Sequence, residues 1–272
     1  MNYVVILLGI GVIWYVLACI GGRIIFRPKK KRWPLKLPFT AVHCGPLVGV
    51  YLAAQSGKPT LVFFHGRGGN ISHFENFAQA YVALGYGVLM LDYRGFGLSK
   101  GTPSQKHLQQ DALSTVHYAL DALQIPPQNV VLYGHSLGNA CALYAAQAFK
   151  NLPFKALILQ SPFLSTPDMA ASWATHGYQP KAWNYRLIRT VVTPFLWFNL
   201  FDNTRLTPGL TGPVLLCTSK ADVTLPWQQS AKLADGISQV QRFLSPTGGH
   251  DEFAWAAAAV DEFLNSLNLN KL

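Results

Sequence analysis

Apolar residues fall along this chain in short continuous runs separated by longer helix-like stretches. The runs occupy 47–54, 60–65, 88–92, 129–133, 156–159 and 213–217. Several are apolar throughout rather than alternating, which predicts strands buried on both faces. The stretches between them, 74–84, 104–123, 137–150, 226–236 and 251–267, carry the spacing expected of helices. Strand and helix in alternation predict an α/β fold, with a mostly parallel central sheet covered by helices on both faces. Right-handed crossovers then bring the loops that follow the strands to one edge, where ligands bind.

Two regions break this rhythm. Residues 161–212 separate two strands by about fifty residues, far beyond a usual connection. They carry Phe163, Trp173, Tyr178, Trp183, Tyr185, Phe195, Trp197, Phe198 and Phe201. An ordinary crossover with extra packing is one reading. A lid-like insertion over the active edge, lining an acyl pocket or touching a membrane, is the preferred one. At the N-terminus, 3–22 is a stretch of twenty residues without a charge. As a helix it would be about 30 Å long, the thickness of a hydrocarbon core. Met1-Asn2-Tyr3 lacks the positive n-region of a cleaved signal, although 16–19 loosely matches a lipoprotein cleavage site. The expected organisation is a transmembrane anchor helix at 1–26, a basic proline-containing linker at 27–38, and a catalytic domain at 39–272.

Charge supports that division. Of the 22 Lys and Arg, seven lie by Lys36: Arg23, Arg27, Lys29, Lys30, Lys31, Arg32 and Lys36. The remaining 15 face 12 Asp and Glu, so the net charge of +10 reports a juxtamembrane cluster suited to anionic headgroups. It is not a nucleic-acid footprint, because no basic stripe runs through the body. The positive-inside rule puts the catalytic domain on the cytoplasmic side. The four cysteines, Cys19, Cys44, Cys141 and Cys217, match neither a disulfide framework nor a zinc signature.

The chemistry concentrates in Gly134-His135-Ser136-Leu137-Gly138, which follows a buried run and opens a helix. That is a nucleophile elbow, a sharp turn that projects a serine hydroxyl over the sheet edge. Acyl transfer also needs amide donors where carbonyl charge develops. The backbone N–H of Leu137 is the first expected donor. The loop Gly66-Arg67-Gly68-Gly69 supplies the second, from Arg67 or alternatively Gly68. The base must follow the serine in the chain, which leaves His176 and His250. His176 falls within the 161–212 insertion. His250 lies in a glycine-containing loop before the last helix, where a base belongs. Asp222, after the 213–217 strand, is the expected acid. Asp168 is its serious competitor, while Asp202 and Asp251 are weaker ones. Asp251 and Glu252 read as first-turn caps of the last helix.

These motifs carry a resemblance. With Phe63-Phe64-His65-Gly66, Gly69-Asn70, Asp92 to Gly101, Ser161-Pro162-Phe163, Asp222 with Pro226, and Gly249-His250, the chain resembles the bud-emergence (Bem) group of α/β-hydrolase-domain proteins over roughly 45–265. The resemblance implies the α/β-hydrolase fold. It also implies a membrane-anchored serine hydrolase related to lysophospholipases and depalmitoylases, with no cofactor or metal. The Asp92-Tyr93-Arg94-Gly95 run is specific for the group, and Asp92 and Arg94 are read as structural. One departure is Ser219, where the group usually has glycine. The expected activity is hydrolysis of a carboxylic ester or thioester, on a lipid-like or acylated substrate, by Ser136, His250 and Asp222. A peptidase of the same fold and a non-catalytic membrane scaffold are the alternatives.

Overall fold

The computed structural model describes residues 3–269, except the side chains of 3–8, 21–24 and 269. Eight strands form one sheet: β1 (Thr40–Cys44), β2 (Leu47–Leu52), β3 (Thr60–Phe64), β4 (Gly87–Leu91), β5 (Val130–His135), β6 (Ala156–Gln160), β7 (Val214–Ser219) and β8 (Val240–Ser245). Their order is β1-β2-β4-β3-β5-β6-β7-β8. β2 runs antiparallel to both of its neighbours, and the pairings from β4 through β8 are parallel. All six expected runs are strands. β1 has a weaker pattern, with one buried residue in five, and forms because Gly45 (φ 57°) turns it back onto β2.

The continuous apolar runs are explained by the two packed faces. In β3, Val62 and Phe64 join one core, while Leu61 and Phe63 join the other. Helices α3 (Gln105–His117), α4 (Gly138–Ala148) and α7 (Trp227–Ala234) cover the first face. Helices α2 (Glu75–Val82) and α8 (Ala254–Leu269) cover the second. There Phe63 stacks on Phe77 at 3.7 Å between ring centroids, and Phe253 closes on Phe77 edge-on at 5.3 Å.

The N-terminal stretch is a single helix, α1 (Tyr3–Phe26). The expected anchor lies partly outside the described residues, and among the described residues no helix is long and apolar enough to cross a membrane. Its end enters the body: Phe26 is buried and packs edge-on against Phe201 at 5.9 Å. The expected linker has no regular structure, but it is held along the domain. Asn70 Nδ2 donates to the carbonyls of Lys29 (3.0 Å) and Lys31 (2.8 Å). The Gly97 amide donates to the Lys29 carbonyl at 3.0 Å, and the Leu37 amide to Glu75 Oε1 at 2.9 Å.

Residues 161–212 contain α5 (Thr166–Ala174), α6 (Trp183–Val192) and two 3₁₀ turns, Thr193–Asn199 and Asn203–Arg205. The aromatic residues there divide. Phe163, Tyr185 and Phe201 are buried, whereas Trp183, Trp197 and Phe198 face outward.

Asn70 is fully buried, and its Oδ1 also accepts from the Ser72 amide and hydroxyl. Replacing it by alanine releases the Lys29 and Lys31 carbonyls and removes a turn cap. Asn70→Ala is expected to cost about 2–4 kcal/mol in denaturant unfolding. It should also speed tryptic cleavage within 29–32. A cleavage rate equal to that of the wild type would show that the segment is held by other contacts.

Candidate active site

The turn after β5 places Ser136 at φ 52°, in the left-handed region that non-glycine residues rarely occupy. Close packing enforces it. A Cβ on Gly138 would overlap the Phe64 carbonyl, and one on Gly134 would lie 2.6 Å from the Asn139 Cα. Three hydrogen bonds then hold the turn. The Ser136 amide donates to the Gln160 carbonyl at 3.1 Å, and Asn139 Nδ2 donates to the carbonyls of Ser136 (2.9 Å) and Gln160 (2.8 Å).

Across the sheet edge, the loops after β7 and β8 bring Asp222 and His250 together. His250 donates from Nδ1 to Asp222 Oδ2 at 2.7 Å, which leaves Nε2 as the acceptor. Asp222 Oδ1 accepts from the amides of Thr224 (2.8 Å) and Leu225 (2.9 Å). Burial works to raise the Asp222 carboxyl, but the His250 bond and charge and the Leu225 amide outweigh it and hold it below the usual carboxylate range. His250 sits beside the elbow: its carbonyl accepts from His135 Nε2 at 2.8 Å, and the two rings lie 4.9 Å apart. Among the described hydrogen bonds none joins Ser136 Oγ to His250. Such bonds often tighten only when substrate binds.

The rivals of Asp222 are engaged elsewhere. Asp168 accepts from Arg189 Nε at 2.8 Å and from the Tyr185 hydroxyl at 3.1 Å, which pins α5 to α6. Asp202 pairs with Arg205 at 3.0 Å. Asp251 is exposed, and α8 starts at Ala254, so Asp251 and Glu252 do not cap its first turn as expected. The glycine loop turns before the helix begins, and Glu252 Oε2 accepts from the Gly249 amide at 2.9 Å instead. His176 is an exposed residue of the 161–212 segment.

The Gly66–Gly69 loop closes on the same turn. A Cβ on Gly66 would lie 3.2 Å from the Ser136 Cβ, so glycine is what permits this approach. Among the described residues, the amides of Leu137, Arg67 and Gly68 have no hydrogen-bond partner. The Arg67 guanidinium stacks 4.5 Å over Trp173, which in turn donates to the Thr224 carbonyl at 2.7 Å. The 161–212 segment therefore touches both the Gly66–Gly69 loop and the loop of Asp222.

Beneath that loop lies a buried pair. His65 Nδ1 donates to the Gly66 carbonyl at 2.8 Å, so its Nε2 lone pair faces Asp92 Oδ1 at 3.5 Å. Burial lowers His65 to about 4 and raises Asp92 to about 7. Two acceptors facing each other in a dry interior favour the protonated carboxyl. Asp92 Oδ1 also accepts the Ile71 amide at 2.8 Å, and Arg94 pairs with Asp111 at 2.7 Å. Both residues thus hold loops in place.

Sequence reasoning missed four contributors. Gln160, besides accepting at its carbonyl, donates from Nε2 to the Glu252 carbonyl at 2.9 Å and so joins elbow to base loop. Ser219 donates to the Thr247 carbonyl at 2.9 Å and accepts from the Ala221 amide at 3.0 Å, tying the acid loop to the base loop. His135, lowered by burial and by the charge of His250 to about 3, is a neutral donor to that loop. Asn139 was legible as a lone polar residue opening an apolar helix. His135, His250 and Asp251 offer ligand atoms within 4.8 Å of one another, but His135 Nε2 and His250 Nδ1 are already committed to hydrogen bonds. The four cysteines are free thiols.

With this geometry the comparisons with known proteins agree. Residues 59–196 match the family model for the alpha/beta hydrolase fold. The chain belongs to that family. Within it the chain fits the Bem-type proteins: it is 35% identical to Protein bem46 of Schizosaccharomyces pombe over 47% of this chain and 44% of that one. It is 30% identical to the uncharacterised protein YfhR of Escherichia coli over 85% of this chain and 80% of that one. It is also 30% identical to the lysophosphatidylserine lipase ABHD12 of Danio rerio, over 68% of this chain and 49% of that one. An alpha-beta hydrolase from Vibrio vulnificus superposes with a TM-score of 0.66 at 23% identity, covering 84% of this chain and 80% of that one. The chain is therefore a hydrolase.

The raised Asp92 has a signed consequence. Its folded pKa lies above its unfolded value, so the charged carboxylate opposes folding, and stability is lost as pH rises from about 4 to about 7. Asp92→Asn keeps an acceptor for Ile71 without that charge. Its stability relative to wild type should improve between about pH 4 and about pH 7 in denaturant titrations and level off above that. A pH-independent difference would mean that Asp92 does not titrate in that window.

Proposed function

We propose that this protein is a membrane-anchored serine hydrolase of carboxylic esters or thioesters, acting on lipid-like or acylated substrates. The observation that carries the reading is the 2.7 Å bond from His250 to Asp222 beside a serine held at φ 52°. Ser136 Oγ attacks the substrate carbonyl while His250 Nε2 takes its proton. Asp222 holds the imidazole in the tautomer that leaves Nε2 free, and stabilises the imidazolium once it forms. The unpartnered amides of Leu137 and Arg67 receive the oxyanion. His250 then protonates the leaving alcohol or thiol. A water enters, gives a proton to His250 as its oxygen attacks the acyl carbon, and His250 returns that proton to Ser136 Oγ as the acid leaves.

The anchor reading rests on the charge-free stretch 3–22, part of which lies outside the described side chains. The basic residues after it suit a cytoplasmic, anionic surface. The 161–212 segment is read as the lid of the site, because Trp173 bridges Arg67 and the loop of Asp222. The relatedness to a lysophosphatidylserine lipase supports an acyl-lipid substrate.

A fluorophosphonate probe should label the wild-type chain in membranes and fail on Ser136→Ala. The same variant should lose about 10⁴-fold or more in kcat/KM on p-nitrophenyl esters, and Asp222→Asn about 10⁴-fold in kcat. Undiminished hydrolysis by Ser136→Ala would rule the mechanism out. A panel of acyl esters, thioesters and peptides separates this reading from a peptidase of the same fold.

A further inference from the structure

The lid carries an unusual outer surface. On α6, Trp183, Leu187 and Val191 recur every fourth residue and form one stripe, exposed by 76%, 53% and 53%. Tyr185, on the opposite side, is buried with its hydroxyl on Asp168. The 3₁₀ segment Thr193–Asn199 continues the chain without a charge and exposes Trp197 and Phe198. Between Asp168, which holds Arg189, and Asp202 the chain carries no carboxylate and two further cations, Lys181 and Arg186. An apolar stripe with cationic flanks and two tryptophans is the composition of an interfacial helix on anionic lipid.

The position of this surface is set by α1. Phe198 contacts Trp14 at 6.0 Å and Tyr15 at 5.9 Å between ring centroids. Tyr15 lies seven residues before Gly22, the last uncharged position before Arg23, which is about 10 Å along a helix axis. The side of α1 turned away from these contacts exposes Ile10, Ile13, Leu17 and Ile20. A bilayer that holds α1 must therefore also receive Phe198 at a depth matching the roughly 5–10 Å of an interfacial helix.

We propose that the outer face of the lid, the Trp183–Leu187–Val191 stripe together with Trp197 and Phe198, is embedded in the interfacial layer of the same bilayer that holds α1. The active-site cover is then a membrane-bound element, and acyl substrate reaches Ser136 from the leaflet rather than from bulk water. This inference rests on α1 being a membrane helix, as proposed above.

The test uses the full chain with Trp14→Phe, reconstituted in phosphatidylcholine–phosphatidylglycerol vesicles whose acyl chains carry bromine. Tryptophan emission should be quenched, and Trp183→Phe with Trp197→Phe should remove most of that quenching. Leu187→Glu should slow hydrolysis of a vesicle-embedded monoacylglycerol several-fold while leaving kcat/KM on a short p-nitrophenyl ester unchanged. That second substrate also shows that the variant folds. Equal quenching with and without the two tryptophans overturns the proposal. So does a lid buried against a second copy of the chain, seen as self-association in detergent that Leu187→Glu abolishes. Release of the chain by alkaline washing overturns the anchor, and this inference with it. Inactivity of the wild type on both substrates would instead strike the hydrolase reading, and the quenching result would stand apart from it.

Discussion

The active edge depends on one steric constraint: α4 begins against the end of β3, with Gly138 where no side chain fits beside the Phe64 carbonyl. That contact forces the chain to reverse at Ser136. The reversal puts a serine in a conformation that costs about 1–2 kcal/mol. Buried hydrogen bonds from Asn139 and to Gln160 offset the cost. Gln160 then extends the same network to Tyr133 on β5, at 2.5 Å, and to the backbone of the base loop. Ser136 and the loop of His250 are thus positioned by one set of buried groups, not by two independent loops.

Electrostatics at this edge follow from burial. Two imidazoles, His65 and His135, are enclosed and kept neutral, and each spends a ring N–H on a backbone carbonyl. Neutral donors can brace the loops without placing a positive charge beside Ser136. Asp222, though buried, stays ionised because two amides and His250 supply what water would. Asp92 is more deeply enclosed and has one amide, an imidazole lone pair and Arg32 only at 4.0 Å, so burial pushes its carboxyl up. Two buried carboxylates therefore differ in charge because Asp92 is the more deeply enclosed and has the fewer donors.

Much of this was legible in one dimension. The continuous runs in β3, β5 and β7 announce strands covered on both faces, because a strand with a solvated side must alternate. Chain order alone reduced eight histidines to two, and the glycine loop selected His250. The weaker elements escaped for physical reasons. β1 has one buried residue in five and exists through pairing with β2. The start of α8 moved from 251 to 254 because Glu252 braces the glycine loop instead of capping the helix. The basic segment at 27–38 has no periodicity, yet buried Asn70 holds it through backbone carbonyls that any residue would present.

What the sequence by itself determined is the class of fold and the residues on which the proposed chemistry rests: a serine after a buried strand, glycines where backbones must touch, and an aspartate and a histidine in the order this fold requires. Local spacing encodes these because each depends on neighbours in the chain. Only the tertiary structure decided which carboxylate meets His250. Asp168 and Asp222 are both buried aspartates, and they are told apart by Arg189 and Tyr185 on α6 and by His250 28 residues downstream. Only the fold, likewise, put Ser219, His135 and Gln160 between the loops. Such partners are remote in sequence, and a hydrogen bond across a sheet edge leaves no periodic trace in the chain that makes it.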